Sequence, residues 1–412
     1  MKKILFIFLL IPSLCFANEY KILKPGIIFI ERDILQERIS LVNNPSNFCK
    51  IKGLSYFEEI DLKTNNSQFS SKGKKSAHIG DTIREKFNPL LEQYCNFLIY
   101  EINGNINESN KIKKEIINIL LELADSKYLL NFPKDSRDTD HAYTTSFSVV
   151  PILFVYSQLK EYIKMDEIET IERMFKDLVK KNEYAFFSNQ VGESTYGNHG
   201  FYANNLRLLT SIVINDSKTF NKSINFFLKN MKLNKTQSGL FKIESRRGEC
   251  SLHYNLHILS AIMSTLWNLN IQSVNLINDK LTGAHNLNEI VEVIIDSVAD
   301  PTIVIKENKR VGYNQSGRKT CSSSPEDIIK FGNNVIWLTN LSSMWFGPYY
   351  SMSNNKENKK KFIDSSLLQN YLYQGDDDSN LISYFQKFIY LDTDTKEEIK
   401  LHKKVSFDDL EF

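Results

Sequence analysis

The sequence predicts an all-α protein, an α/α bundle or toroid with a few short strands. Apolar residues recur at i, i+3, i+4 spacing through six segments, the mark of helices that bury one face. The connectors between those segments are short and polar. No fixed-period repeat accompanies them, which disfavours a solenoid.

The stripes follow in chain order. Ile112, Ile116, Leu120 and Leu123 form the first; Ile168, Ile171, Phe175 and Leu178 form the second, opened by Asp166. Leu206, Leu209 and Ile212 form the third, and Ile224, Phe227, Leu228 and Met231 the fourth. Leu252, Leu256, Leu259, Met263 and Leu266 form the fifth, and Ile290, Val293, Ile294 and Val298 the sixth. Asn215-Asp216-Ser217 and the run from Asn234 to Gly239 read as turns. The best strand candidates are Thr302-Ile303-Val304-Ile305 and Val335-Ile336-Trp337-Leu338. The stretch from Lys63 to Lys86 is polar, carries Gly73 and Gly80 with a lysine cluster, and reads as a loop.

The N-terminus reads as a secretory signal. Lys2 and Lys3 precede an apolar run from Ile4 to Leu14, and Cys15 and Ala17 supply the small residues of a cleavage site. The run is too short to span a bilayer, and no later run is long enough. The expected organisation is a signal peptide over 1–17, one domain over 18–385 and a charged tail over 386–412. Periplasmic or secreted localisation follows, with no membrane contact after cleavage. A net charge of +2 argues against bulk nucleic-acid binding, while a basic cleft for an acidic polymer stays compatible with it. Removing the signal leaves Cys49, Cys95, Cys250 and Cys321. In an oxidising compartment one or two disulfides are expected, and Cys49 with Cys95 is the favoured pair.

Chemistry concentrates in two places. Asn198-His199 follows a polar run and precedes an apolar helix, so it sits at a helix start. Arg247 stands seven residues before Tyr254; on a helix that spacing is two turns, off by about 20°, so both side chains can face one spot. Each motif alone has a bland reading, as a capping Asn with an incidental His, or as a surface Arg with a packed Tyr. His253 and His257 have the i, i+4 spacing of zinc helices, but Tyr254 stands where a metalloprotease has Glu. No metal or organic cofactor is expected. An amide, an imidazole, a guanidinium and a phenol together can neutralise a carboxylate and remove the proton from the adjacent carbon.

The combination of Asn198-His199-Gly200-Phe201-Tyr202 with Arg247 through Tyr254, preceded by Gly239-Leu240-Phe241, resembles the alginate lyase family, the poly-mannuronate lyases with an α/α-toroid fold. Trp345-Phe346-Gly347-Pro348-Tyr349 and Tyr373-Gln374-Gly375-Asp376 are similar to later family segments. The resemblance implies β-elimination on a uronate polymer. Asn198 and Arg247 would neutralise the carboxylate, Tyr254 would act as base and acid, and His199 would assist. Tyr202, Trp345, Tyr349, Lys63 and Lys72 become substrate-binding candidates. The chain departs from the family at Tyr202, where Trp is usual, at Cys250, where a basic residue is common, and after Tyr254. A monomer is expected, with an acidic polysaccharide as partner. Two alternatives stand beside this reading: a non-catalytic polysaccharide-binding protein, and a helical-toroid hydrolase using Glu244 or Glu249, for which no convincing second carboxylate stands out.

Overall fold

The computed structural model describes residues 19–41, 90–130, 142–143, 145–146, 148–187, 195–234, 237–281, 285–312, 321–322, 324–332 and 347–364. The helices are α1 (Arg32–Ser40), α2 (90–102), α3 (Ile106–Ser126), α4 (Val150–Leu159), α5 (Met165–Phe187), α6 (Asn198–Val213) and α7 (Ser217–Leu233). They continue with α8 (Ser251–Ile271), α9 (Leu287–Ala299), α10 (Thr302–Val311), α11 (Pro325–Gly332), α12 (347–352) and α13 (Lys356–Asp364). Among the described residues there is no strand, and no helix is long and apolar enough to cross a membrane.

Two kinds of helix alternate along the chain. Helices α3, α5, α7 and α9 bury one stripe and expose the rest. Helices α4, α6 and α8 are buried almost all round. A helix enclosed on every side must lie inside others, so the one-sided helices form an outer layer around the buried ones. That alternation, outer then inner through three rounds, is an α/α toroid. Helix α6 touches α4, α5, α7 and α8. The predicted stripes are the buried faces; Ile168, Leu228, Val293 and Val298 lie at their half-buried margins.

Inner helices α6 and α8 run parallel. Tyr202 meets His257, and further along Asn205 bonds Ser264 at 3.1 Å and Thr265 at 3.2 Å. Pairs that advance together on both helices require one direction. Both N-termini therefore lie at one end of the toroid and both C-termini at the other. The C-terminal end is closed by the irregular segment 20–30. Gln272 Oε1 accepts from the Leu23 and Lys24 amides, Asn268 Oδ1 accepts from Phe29 N, and Trp267 Nε1 donates to Phe29 O. These side-chain bonds satisfy backbone groups that no ladder would satisfy there.

Turn chemistry sets the connections. Asp216 caps α7 by accepting from Thr219 N, after Asn215 at φ 57°. Asn286 and Glu289 form a capping box at the start of α9. The strand expectation at Thr302–Ile305 is corrected, because those residues open α10. Asp300 accepts from both Thr302 N and its hydroxyl, Pro301 precedes the first turn, and Val304 is buried. Tertiary packing and the start signal outweigh the β-branched run. The other strand candidate, Val335–Leu338, and the Lys63–Lys86 stretch lie outside the described residues, as does the tail after 386.

Candidate active site

The site forms where the first turns of α6 and α8 meet two short 3-10 turns, Glu244–Arg246 and Gly248–Cys250. Asn198 is the first residue of α6, as the sequence suggests, with Gly197 as N-cap. Gly197 has no side chain to cap the helix. The carboxylate of Glu244 does so from another element, accepting from Asn198 N at 2.7 Å. Gly200 is required by the tight turn before the helix, since a Cβ there would lie 1.9 Å from the Thr195 carbonyl oxygen. Gly200→Ala is therefore expected to push Asn198 and His199 out of place. Overpacking of this kind costs about 1–3 kcal/mol, and chemical denaturation of the variant measures it.

Arg247 and Tyr254 meet, but not by the route their spacing suggests. Arg247 stands between the two 3-10 turns, and α8 begins only at Ser251. The turn is made at Gly248, φ 56°, a conformation Gly adopts without cost to a side chain. Gly248 N donates to Asn308 Oδ1 at 3.0 Å, and Asn308 Nδ2 donates to Ser251 Oγ at 3.0 Å. The Arg247 guanidinium carbon ends 4.1 Å from the centroid of the Tyr254 ring. A disulfide joins Cys250 to Cys321 across 71 residues of chain. Beside it Glu249 pairs with Ser322 through two hydrogen bonds, Glu249 N to Ser322 O and Ser322 N to Glu249 Oε1. The segment between the arginine and the tyrosine is thus fastened where the family commonly has a basic residue. Cys95 is disulfide-bonded too; its expected partner Cys49 lies outside the described residues.

The four candidate residues fall on one closed circuit of contacts. Asn198 Oδ1 accepts from His199 N at 2.9 Å. The His199 ring stacks on Tyr143, with centroids 4.0 Å apart. Tyr143 meets Tyr202 edge-on at 5.8 Å, and Tyr202 meets His257 at 6.2 Å. His257 lies 6.1 Å from the Tyr254 ring and 4.6 Å from His253. Arg247 covers Tyr254, and its Nε pairs with Glu244 Oε2 at 2.6 Å. Glu244 returns to Asn198. His253, Tyr254 and His257 are among the few positions of α8 that its neighbours leave half-open.

Two substrate-binding expectations change. Tyr202 is 5 % exposed, with its hydroxyl bonded to Ser260 and 3.5 Å from His257 Nδ1. Burial raises its phenol pKa, against the Ser260 bond that lowers it. Its ring packs within the circuit, against Tyr143 and His257. Tyr349 is fully buried; it donates to Asn288 Oδ1 at 2.9 Å and accepts from Asn358 Nδ2 at 3.0 Å. It fixes α12 to α9 and α13, and desolvation raises its pKa as well. Trp345, Lys63 and Lys72 lie outside the described residues. Among the described residues, no three His, Cys, Asp or Glu side chains are grouped as metal ligands.

Sequence reasoning misses two members of the circuit. Tyr143 carries no local signal. Glu244 carries one, its place three residues before Arg247, but the sequence reading gives it only the role of a hydrolase carboxylate. It is fully buried and uses both oxygens inside the protein, and Glu249 is held by Ser322.

An α/α toroid with a polar cluster at the N-terminal end of its inner helices is the class that fold and site define. The comparisons agree with that class: residues 146–304, which hold all four candidates, match the model of the alginate lyase family. The fold is similar to that of alginate lyase A1-III from Sphingomonas species A1, with a TM-score of 0.53 at 12% identity over 80% of this chain and 90% of that one. A variant of that enzyme complexed with tetrasaccharide aligns at 0.53 and 13% identity over 77% and 88%. Another variant, in its apo form, aligns at 0.53 and 11% over 79% and 89%. No protein of curated function matches the chain.

Proposed function

We propose that this protein is a polysaccharide lyase that cleaves a uronate polymer of the alginate or poly-mannuronate kind by β-elimination. The observation that carries the reading is the Arg247 guanidinium lying over the Tyr254 ring while a buried glutamate ties it to the Asn198 end of α6. Each group then has a role. Arg247 spends its Nε on Glu244, and its two terminal nitrogens have no partner among the described residues, so they suit the two oxygens of a carboxylate. Asn198 Nδ2 is a buried donor without a partner among the described residues, a state that is costly unless a ligand satisfies it. With Asn198 1 % exposed, a carboxylate reaches this amide only when the site opens. The parallel N-termini of α6 and α8 add their favourable field for an anion.

Neutralising the carboxylate makes the proton on C5 of the uronate more acidic and stabilises the enolate left behind. Tyr254 removes that proton as phenolate and then protonates the leaving glycosidic oxygen. His199, held against Tyr143, assists the proton movement. The glycosidic C–O bond breaks, and a C4–C5 double bond forms in the new non-reducing end. No metal or organic cofactor enters this scheme.

Ultraviolet absorbance during digestion tests the proposal. Poly-mannuronate, poly-guluronate, glucuronan and hyaluronan form the panel. Absorbance should rise with at least one, poly-mannuronate first. New reducing ends without absorbance would indicate a hydrolase, and binding without either would indicate a carbohydrate-binding protein. The scheme also includes export to the periplasm as a monomer. Sequencing of the mature N-terminus is expected to begin at Asn18, and recovery of the chain from the cytoplasm with residues 1–17 retained would overturn this.

A further inference from the structure

We infer that Glu244 is a positioning residue for the reaction, holding Arg247 and the start of α6 in one register. The inference rests on the lyase reading and adds to it a residue that touches no substrate. Three observations carry it. Glu244 is a fully buried carboxylate in the turn before Arg247. One oxygen takes the amide of Asn198, the first N–H of a helix whose cap residue is glycine. The other forms an ion pair with Arg247 Nε at 2.6 Å. These two residues come from separate segments, and one rigid group joins them.

The chemistry explains why a carboxylate stands there. An arginine side chain has several rotatable bonds, and its fork is useful only when aimed. The ion pair at Nε draws the guanidinium to Glu244 while leaving both terminal nitrogens to donate. The same anion favours the positive end of α6, so the helix start is drawn to the arginine. Burial makes the pair exclusive, because an ionised carboxylate without partners is costly inside a protein. Glu244 therefore acts through Arg247 and Asn198, and a change there is felt as a loss of aim.

A double-mutant cycle tests this. Glu244→Gln keeps the shape and an acceptor for Asn198 N but removes the anion that holds Arg247. In the wild-type background kcat should fall on the order of 10²-fold, the scale of a 1 Å misplacement, with KM changed less and the circular dichroism spectrum retained. In the Arg247→Ala background the same substitution should cost little further in kcat, because its target is gone. The thermal midpoint should show the reverse coupling: Arg247→Ala lowers it by orphaning a buried carboxylate, and adding Glu244→Gln restores part of the loss. Glu244→Asp serves if the Gln variant does not fold; it keeps the charge, retracts it, and should also lower kcat. Equal kcat losses from Glu244→Gln in both backgrounds would overturn the inference, as would full turnover in the single variant. A wild type inactive on every uronate polymer would instead overturn the lyase reading and this inference with it.

Discussion

Tyr254→Phe is expected to abolish turnover while leaving substrate binding close to that of the wild type. The phenol hydroxyl is asked to act twice, first as the base at C5 and then as the acid at the leaving oxygen. A single general acid–base group contributes about 10²–10⁴-fold, and removing one that serves both steps should reach or exceed the top of that range. The ring itself should stay where it is. Its ring meets Arg247, His253 and His257 by faces and edges, and these contacts do not need the hydroxyl. The variant should therefore fold normally and retain oligouronate, with kcat lost and KM little changed. Steady-state rates from absorbance, with calorimetric binding of an oligosaccharide, give both halves of the result. An unchanged kcat would remove Tyr254 from the chemistry. Lost binding together with an altered thermal midpoint would instead make it a packing residue.

The fold is legible in the sequence because its physics is periodic. Each outer helix writes its buried stripe at 3.6-residue spacing, so spacing alone assigns Ile116, Leu120 and Leu123 to a core. The inner helices are harder to read. A helix enclosed on all sides has no polar face to set its register, and α6 buries Asn204, Asn205 and Arg207 among its apolar residues. Arg207 is satisfied by partners from α5, α6 and α7, among them Glu183, Ser223, Asn204 and Lys222 O; its burial lowers its pKa, against the pull of Glu183. Sequence alone gives such a residue no sign of being internal. The Thr302–Ile305 run shows the opposite error, where local β-propensity points to a strand but the residues open a helix, with Thr302 bonded back to Asp300 ahead of the Pro301 N-cap.

The site is legible in its residues and not in its geometry. Two motifs name Asn198, His199, Arg247 and Tyr254, and the structure brings all four into one circuit. Helical arithmetic puts Arg247 and Tyr254 together, yet a glycine turn and two 3-10 turns are what bring them there. Contacts made across the fold leave no trace in either motif. Tyr143 reaches His199 from 56 positions earlier in the sequence, and Cys250 finds Cys321 across 71. The two tyrosines that the motifs assign to substrate, Tyr202 and Tyr349, turn out buried for a related reason. A motif fixes which residue is present, but burial depends on what packs over it.

Arg247→Lys is expected to be nearly as damaging as removal of the side chain, although the charge is kept. The geometry gives the reason. Arg247 divides its guanidinium between two tasks: Nε binds Glu244, and the terminal nitrogens serve the substrate carboxylate. A lysine has one ammonium and cannot do both from fixed positions. The buried Glu244 should capture it, since an unpaired internal carboxylate is the more costly alternative. The stability of Arg247→Lys should then stay close to wild type while kcat falls by about 10²–10³-fold, the range for loss of a donor to a developing oxyanion. The loss should appear in kcat more than in binding if the contact strengthens as the enolate forms. Substrate charge gives the decisive comparison. A methyl-esterified polymer arrives with its carboxylate already neutral, so it has less need of Arg247 and Asn198, and both Arg247→Lys and Asn198→Ala should be milder on it than on the acid. Defects of equal size on the two substrates would mean that these residues shape the cleft, and charge neutralisation would have to be assigned to other groups.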